Sequence, residues 1–313
     1  MSIKLITPLM RNGISEMHLK LARTCKDISK VGLSILSILD EYLDVFEYVP
    51  EELVFKKVRI PEKTFAREIS TLRTKKLVES HSTRAAYRLT FLGLDCLALL
   101  ELVEKGVVTH VGPSIGTGKE SVLYLAKTST NEIAVVKFYK IGRVSFKKVV
   151  RYRGYLTDQP SWLEASKLAA EREYRALLLL SKHTNLIPKV WGWSKHAVVM
   201  EYIDGEDLYR YRNARDPKSI LNLILTTMRS AYLNAGIVHA DLSEYNIVVS
   251  VRDSSEIPYI IDWPQYVSRE DPLAEEYLTR DVSNLLKFFK RRYGVSLDLE
   301  KAVGYVKGLV DGI

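Results

Sequence analysis

The sequence is poor in cysteine and contains no long apolar run. Its two cysteines, Cys25 and Cys96, show neither metal-ligand spacing nor a disulfide framework, so we expect two small buried thiols in a reducing compartment, the cytoplasm. No stretch approaches the roughly 20 apolar residues that span a bilayer. The first ten residues lack the apolar core and the cleavage site of a signal peptide. We therefore expect no membrane partner.

Acidic residues are scarce in two stretches of this 313-residue chain, whose formal net charge is +8. From Lys56 to Thr90, ten lysines and arginines stand against three glutamates, an excess of seven positive charges. Such clustering is typical of surfaces that bind nucleic-acid phosphates, and a basic face that contacts protein is the alternative. From Ile133 to Thr157 there is no acid, and that stretch would contact RNA, fold over a nucleotide or carry a modification site. The residues that we expect to contact nucleic acid are Lys63, Arg67, Arg73, Lys75, Lys76 and Arg84.

Periodicity predicts a winged-helix domain in the first ninety residues. Phe65, Ile69 and Leu72 step by four and three, which places them on one buried face of a helix. That helix begins at Pro61 and Glu62, because proline suits the first helical turn. Two strands around a polar tip follow it and predict a β-hairpin wing. The other predicted elements are helices near 15–26 and 34–43, strands at 77–80 and 86–90, and a helix at 91–104 that leads out of the domain.

A glycine-rich stretch, Gly116-Thr117-Gly118-Lys119-Glu120-Ser121, opens the second part of the chain. Glycines let backbone amides approach phosphate oxygens, because no Cβ is in the way. The stretch is not a Walker loop, since Lys119 is not followed by Ser or Thr and a strand-like run comes next. We predict a phosphate-binding hairpin in which the nucleotide is bound by Gly116, Gly118, Lys119, Glu120 and Ser121.

Further along, Lys137 ends an apolar strand. A buried ammonium is costly unless an anion meets it, and nucleotide phosphates together with a helix glutamate would do so. Glu173 is our candidate for that glutamate, and Glu171 is the competitor. Another apolar strand ends in polar residues and a glycine near position 205, where we expect adenine to bind. The residues that would hold adenine are Met200, which lines its pocket, and the backbone of Glu201, Tyr202 and Ile203.

Two aspartates and an asparagine form the most informative pattern of the chain. Asp241 and Asn246 lie five positions apart, and Asp262 follows sixteen positions later. This order is typical of a phosphoryl-transfer loop, in which Asp241 would be the general base or orient the nucleophile. Asn246 and Asp262 would hold Mg²⁺. Apolar runs at 247–249 and 259–261, with a polar turn between them, predict a hairpin that brings Asn246 and Asp262 together.

Together these motifs resemble the RIO family of atypical protein kinases, in particular its second subfamily, which carries an N-terminal winged helix. Two motifs are specific: Lys-Glu-Ser after the glycines, and Asp-Trp-Pro-Gln where other kinases have Asp-Phe-Gly. Two residues depart from the family pattern: Ala240 stands where the family usually has Gly, and Trp263 where Phe is common. Both departures are mild, because neither removes a catalytic group. The matching segments are 116–121, 136–146, 161–163, 239–246 and 261–268.

The resemblance implies an α+β fold, with a winged helix followed by a bilobal kinase-like domain whose large lobe is truncated. It implies ATP as the nucleotide and Mg²⁺, or Mn²⁺ in its place, as the metal. It also implies a serine/threonine kinase or ATPase that acts in late maturation of the small ribosomal subunit, with the pre-small subunit and ribosomal RNA as partners. We expect a monomer. The expected boundaries are 1–90 for the winged helix, 91–105 for the linker helix, 106–203 for the small lobe and 204–313 for the large lobe.

The kind of phosphoryl acceptor is a separate expectation. After Asp262 there are 51 residues without an Ala-Pro-Glu motif, and conventional kinases use that region as a peptide platform. We therefore expect autophosphorylation or ATP hydrolysis rather than broad phosphorylation of peptides. Ser145 is the plain acceptor, and an aspartyl phosphate at Asp262 is the alternative.

Two functions of other classes stay open. Small-molecule phosphotransferases of the aminoglycoside or choline type share the His-x-Asp-x-x-x-x-Asn pattern, but they do not explain a basic winged helix. A nucleic-acid-binding regulator with an inactive kinase fold would explain that domain. However, the four candidate catalytic residues are all present: Lys137, Asp241, Asn246 and Asp262.

Overall fold

The computed structural model describes residues 4–5, 20–142 and 162–313. The chain divides into two compact units, one formed by residues 1–171 and 191–200 and the other by residues 172–190 and 201–313. Among the helices that the structure describes, none is both long and apolar enough to cross a membrane. The predicted basic stretch at 143–153, including Ser145, and Ser161 lie outside the described residues.

The first unit begins with the predicted winged helix. Phe65, Ile69 and Leu72 form the buried face of its helix Glu62–Thr74, as the periodicity predicted. Ser29 caps another helix by accepting the N–H of Gly32 at 2.9 Å. The elements are β1 (Lys4–Leu5), α1 (Lys20–Lys26), α2 (Lys30–Glu41), β2 (Val49–Pro50), α3 (Glu51–Val58), α4 (Glu62–Thr74), β3 (Val78–Ser80) and β4 (Ala86–Leu89). The strand order of the wing sheet is β2-β4-β3, with both pairings antiparallel.

A linker helix, α5 (Phe91–Glu104), follows the wing within its predicted bounds. Thr90 caps it by accepting the N–H of Gly93 at 3.1 Å. Gly93 is required there, because a Cβ would lie 2.4 Å from the carbonyl oxygen of Leu77. Its apolar side chains are buried almost all round, so α5 belongs to the core of the first unit.

The two cysteines correct our expectation. Both are buried, as predicted, but Cys25 of α1 and Cys96 of α5 form a disulfide bond with 5.0 Å between their Cα atoms. They lie 71 residues apart in the sequence, and each sits on a different helix. The disulfide therefore joins the winged helix to the linker helix.

The small lobe is built on a six-stranded sheet. The elements are β5 (Val108–Thr117), β6 (Ser121–Thr128), β7 (Ile133–Tyr139), α6 (Trp162–Leu180), β8 (Val190–Ser194) and β9 (Ala197–Glu201). The strand order is β1-β5-β6-β7-β9-β8. β5, β6 and β7 form an antiparallel meander, and β1 pairs parallel with β5. Ala126, Ala134 and Val136 of this sheet are fully buried.

The second unit contains the end of α6, three further helices and two small sheets. Its elements are β10 (Glu206–Asp207), α7 (Pro217–Ser230), a π-helical turn (Ala231–Ala235), β11 (Ile237–Val238), a 3₁₀ turn (Glu244–Asn246), β12 (Ile247–Arg252), β13 (Ser255–Ile260), β14 (Val267–Ser268), α8 (Ala274–Tyr293) and α9 (Leu299–Val306). One sheet has the order β10-β12-β13, and the other pairs β11 with β14. Gly205 permits a close approach, because a Cβ there would lie 2.5 Å from the carbonyl oxygen of Val249.

Candidate nucleotide and phosphoryl-transfer site

The predicted glycine-rich hairpin lies between β5 and β6. The N–H of Gly118 donates to the carbonyl oxygen of Ser121 at 2.8 Å and closes a turn that presents Lys119 and Glu120. Neither Gly116 nor Gly118 has a positive φ, and a Cβ on either would make only ordinary contacts, at 3.5 and 3.6 Å. Packing within the described chain therefore does not require glycine at these two positions, whereas the close approach of a ligand would.

Lys137 lies on β7, in the same cross-strand row as Gly116. Gly116 pairs with Leu123 on β6, and Leu123 pairs with Lys137, so the three residues form one row across the sheet. Neighbouring strands lie about 4.8 Å apart, which puts Lys137 roughly 10 Å from the glycine. The lysine is 7% exposed, and its Nζ lies 4.8 Å from the ring centroid of Tyr139. A buried ammonium in this row suits a group that binds phosphate.

The predicted adenine-binding segment begins at the end of β9. Met200 is buried, and Tyr202 is 39% exposed. The N–H of Glu201 donates to the carbonyl oxygen of Lys189 at 2.8 Å, and its carboxylate accepts the N–H of Lys189 at 3.2 Å. The N–H of Glu201 is thus used within the fold, and the N–H groups of Tyr202 and Ile203 are the candidates for binding the base.

The loop that carries Asp241 is held by a residue that our sequence analysis missed. Asp281 of α8 is fully buried, and its carboxylate accepts the N–H of Ala240 at 2.9 Å and that of Leu242 at 3.1 Å. Arg280 donates to the carbonyl oxygen of Ala240 at 2.5 Å. Burial raises the pKa of Asp281 to about 7, against the opposing effects of Arg280 and of the two N–H donors. Asp241 itself is exposed at the tip of this anchored loop.

Ala240 explains one departure from the family pattern. Its φ is 64°, in the left-handed region that glycine adopts without steric cost. The family's usual glycine therefore suits this backbone better than alanine does. Hydrogen bonds from α8 hold the alanine in this conformation, because Asp281 accepts its N–H and Arg280 donates to its carbonyl oxygen.

The predicted hairpin behind the catalytic loop is confirmed. β12 and β13 pair in antiparallel register from Ile247 opposite Ile260 outward, and a tight turn at 253–254 has positive φ at both residues. At the open end, the N–H of Ile261 donates to the carbonyl oxygen of Asn246 at 2.9 Å. Because Asp262 directly follows Ile261, this hydrogen bond brings Asp262 next to Asn246.

Asn246 also links the hairpin to Asp241. Its Nδ2 donates to the carbonyl oxygen of Asp241 at 2.8 Å, which leaves its Oδ1 as an oxygen ligand for a cation. Asp262, half-buried with a φ of 66°, supplies a carboxylate from the neighbouring position. Among the described residues, no group of three or more His, Cys, Asp and Glu side chains is arranged to hold a metal. An amide oxygen and one carboxylate fit Mg²⁺, which protein sites bind with few carboxylates plus substrate phosphates and water.

Helix α6 holds the segment that follows Asp262. Glu173 is fully buried, and its Oε1 accepts the N–H of Trp263 at 3.3 Å. Arg172 donates from Nε to the carbonyl oxygen of Pro264 at 2.7 Å. Glu171, the competing candidate, is only half-buried. Burial therefore favours Glu173 over Glu171, and its pairing with Lys137 stays a prediction.

Five of the six basic residues predicted to contact nucleic acid have exposed side chains: Lys63, Arg67, Arg73, Lys76 and Arg84. Lys75 differs from them, because it is half-buried and its Nζ donates to the carbonyl oxygen of Asp27 at 2.8 Å. This bond ties the end of α4 to the connection between α1 and α2. Lys75 is thus placed to stabilise the domain, whereas the other five are open to a partner.

Two domain families match the chain. The domain family described as "RIO domain" matches residues 122–302, and the one described as "Rio2, N-terminal" matches residues 25–105. The chain belongs to the RIO kinase family, in its Rio2 branch. The predicted resemblance and fold class, a winged helix before a kinase-like domain, are confirmed.

Individual Rio2 proteins are similar over most of the chain. A RIO-type serine/threonine-protein kinase Rio2 from Methanocaldococcus jannaschii is 34% identical over 271 residues, which cover 83% of this chain and 98% of that protein. Serine/threonine-protein kinase rio2 from Schizosaccharomyces pombe is 32% identical over 251 residues, 79% of this chain and 72% of that protein. The crystal structure of a Rio2 kinase–ADP/Mg²⁺–phosphoaspartate complex from Chaetomium thermophilum superposes with a TM-score of 0.78 and 29% identity, covering 91% of this chain and 88% of that one.

Proposed function

We propose that this RIO-family kinase transfers the γ-phosphoryl group of ATP in a reaction that requires Mg²⁺. Two hydrogen bonds of Asn246 carry the proposal. Its side chain donates to the carbonyl oxygen of Asp241, and its own carbonyl oxygen accepts the N–H of Ile261, the residue before Asp262. The carboxylate of Asp241 and two oxygen ligands for a cation, from Asn246 and Asp262, are thereby held together at the open end of the β12–β13 hairpin. Such an arrangement serves phosphoryl transfer, in which positioning and charge neutralisation supply most of the catalysis.

Each remaining group has a role in this proposal. Lys137 and the hairpin of Gly116 and Gly118 bind the phosphates, while the segment from Met200 to Ile203 binds adenine. Asp241 orients the water that later attacks the acyl phosphate and accepts its proton. Asn246 and Asp262 hold Mg²⁺, which when bound neutralises the phosphate oxygens. The ADP and Mg²⁺ of the similar Rio2 complex support the choice of nucleotide and metal.

The phosphoryl acceptor in the proposal is Asp262, so that the protein hydrolyses ATP through its own carboxylate. An Asp262 oxygen attacks the γ-phosphorus, the bond from phosphorus to the ADP oxygen breaks, and ADP leaves. Water, which gives its proton to Asp241, then attacks the phosphorus of the acyl phosphate; the bond from phosphorus to the Asp262 oxygen breaks, inorganic phosphate leaves, and the carboxylate is free again. The phosphoaspartate named for the similar Rio2 complex supports this choice over Ser145.

Labelling with γ-³²P-ATP tests the acceptor. We expect protein-bound phosphate that neutral hydroxylamine removes and that Asp262→Asn lacks, whereas Ser145→Ala keeps it. Label that resists hydroxylamine and disappears in Ser145→Ala would make serine autophosphorylation the product instead. Rapid turnover on generic peptides without self-labelling would contradict both.

The biological setting of the proposal is late maturation of the small ribosomal subunit. The exposed basic residues of the winged helix would contact ribosomal RNA of the pre-small subunit, and ATP hydrolysis would change the state of that complex in the cytoplasm. Co-sedimentation with small-subunit particles, at several salt concentrations and with ATP or ADP, tests this setting. Equal binding in both nucleotide states would contradict the switch.

A further inference from the structure

A buried polar cluster joins the linker helix to the end of β7 within the first unit. Asp95, in the second turn of α5, is 1% exposed. Its Oδ2 accepts a hydrogen bond from Lys140 Nζ at 2.6 Å, and its Oδ1 lies 2.7 Å from His196 Nε2. Burial lowers the pKa of His196, so that its ring is neutral and donates from Nε2 to the carboxylate. Burial acts to raise the pKa of Asp95, but the bond from His196 and the charge of Lys140 outweigh it and lower that pKa.

Lys140 also touches the glycine-rich hairpin through its backbone. The ladder between β6 and β7 ends with Ser121 opposite Tyr139. One residue further, the N–H of Lys140 donates to the carbonyl oxygen of Glu120 at 2.6 Å. Glu120 lies in the turn that Gly118 and Ser121 close. Lys140 therefore bonds to this turn through its backbone N–H and to Asp95 of the linker helix through its side chain.

The linker helix and the hairpin do not pack solidly against each other near this contact. A pocket of about 390 Å³, half open to solvent, lies between them and is lined by Phe91 and Leu92 from the start of α5 and by Thr117 and Val122 from the hairpin. Asp95 and Lys140 are part of the same lining. Since apolar packing leaves this space open, the ion pair is a direct mechanical link between the two elements. The side chain of Asp95 is only 2% exposed and that of Lys140 12%, so the surrounding protein restricts the geometry of the ion pair.

We infer that Lys140 is a positioning residue, which couples the linker helix, and with it the winged helix, to the phosphate-binding turn. The inference rests on the proposed function, since it assigns nucleotide phosphates to that turn. Asp95 fixes the side chain of Lys140, and its backbone fixes the carbonyl of Glu120. The disulfide from Cys96, one residue after Asp95, ties the same helix to α1. A partner that shifts the winged helix would thus shift the turn and change the affinity for ATP.

Lys195 provides a matched control. Its Nζ lies 2.7 Å from Asp40 Oδ2 on α2 and 2.8 Å from Glu101 Oε1 on α5. Its side chain is 17% exposed, close to the 12% of Lys140. Both lysines pair with α5, Lys140 through Asp95 and Lys195 through Glu101, and Lys195 lies in the β8–β9 connection rather than next to Tyr139 at the end of β7. A general loss of rigidity would affect both variants alike.

The test uses the full chain and compares the parent with three single variants, Lys140→Met, Lys140→Arg and Lys195→Met. A double variant combines Asp95→Asn and Lys140→Met in one chain. Steady-state kinetics give KM for ATP and kcat, and thermal unfolding gives stability. We expect Lys140→Met to raise KM by about fivefold or more with kcat little changed. The double variant, which has no unpaired buried carboxylate, should recover stability but keep the raised KM. Lys140→Arg should restore KM, and Lys195→Met should lower stability alone.

Three results would overturn the inference. In the first, Lys140→Met has the KM of the parent. In the second, Lys195→Met raises KM as much as Lys140→Met does. In the third, the raised KM disappears in the double variant together with the instability, which would make Lys140 structural only. A parent protein that neither binds nor hydrolyses ATP would instead overturn the proposed function, and this inference with it.

Discussion

The side chain of Asn246 donates a hydrogen bond to the backbone carbonyl oxygen of Asp241 at 2.8 Å. Through this bond, the loop that carries the candidate general base is fixed to the hairpin that carries the candidate metal ligands. Asp281 fixes the same loop by accepting the N–H groups of Ala240 and Leu242, the two residues that flank Asp241. Asp241 is thus the exposed tip of a segment whose backbone is held on both sides.

Asp241→Ala should lower kcat by about 10²- to 10⁴-fold, the usual contribution of a general base, and leave the affinity for ATP unchanged. Because Asp241 is exposed, the thermal unfolding midpoint should stay close to that of the parent. Stopped-flow or steady-state turnover together with an ATP titration measures both quantities. A variant that loses ATP binding in step with turnover would show that Asp241 serves binding, and the assignment would be wrong.

Asp281 gives the stability of the second unit a pH dependence. Burial raises its pKa to about 7 from 3.8, so the folded protein binds the proton more tightly than the unfolded chain. The stability that this carboxyl contributes is therefore complete at low pH and is lost as the pH rises from about 4 through about 7. The loss is at most about 1.4 kcal/mol per pH unit within that window.

Asp281→Asn cannot titrate, and it keeps a side-chain oxygen for one of the two N–H groups. Urea unfolding at pH 5, 6, 7 and 8 should show the parent losing stability relative to this variant up to about pH 7, with a constant difference above that. Parallel curves over the whole range would mean that Asp281 is ionised throughout.

The sequence predicted the elements whose signals are local. The β12–β13 hairpin, the buried stripe of α4 and the bounds of α5 all follow from periodicity and turn residues, and the structure confirms them. Helix α3 was missed, although Glu51 and Glu52 in its first turn and two lysines in its last are typical of a helix. Its single buried residue, Val54, left no apolar stripe to detect.

The missed site residue had a signal, and the missed disulfide had none. Asp281 is spaced three residues after Leu278 and four before Leu285, which places it on the buried face of α8. A carboxylate at such a position indicates a specific partner. In contrast, the pairing of Cys25 with Cys96 depends on how two helices pack, and sequence spacing does not report that.

Binding of RNA by the winged helix should follow exposure rather than charge alone. The variant with Lys63, Arg67 and Arg73 replaced by Ala should bind RNA more weakly, with a salt dependence reduced by roughly one unit of slope per lost phosphate contact. Lys75→Ala is the control, because its bond to Asp27 predicts a loss of stability with RNA affinity nearly unchanged. Fluorescence anisotropy at four salt concentrations measures both variants. If the triple variant matches the parent at every salt concentration, RNA binds elsewhere.

The disulfide between Cys25 and Cys96 should stabilise the first unit. A bridge across a separation of 71 residues removes chain entropy from the unfolded state worth about 4 kcal/mol. Reduction should therefore lower the unfolding midpoint of the parent, whereas the double variant Cys25→Ala with Cys96→Ala should be insensitive to reductant. A parent that unfolds identically with and without dithiothreitol, and has two titratable thiols when denatured, would show that the cysteines are unpaired in solution.

Dependence of ATP affinity on Mg²⁺ is the most direct test of the site. The titration compares the parent and Asp262→Ala, each with excess Mg²⁺ and with EDTA. We expect Mg²⁺ to tighten ATP binding by the parent about tenfold or more, equivalent to about 1.4 kcal/mol, and to have little effect on the variant. A parent whose affinity for ATP is the same in Mg²⁺ and in EDTA would contradict the assignment of Asn246 and Asp262 as metal ligands.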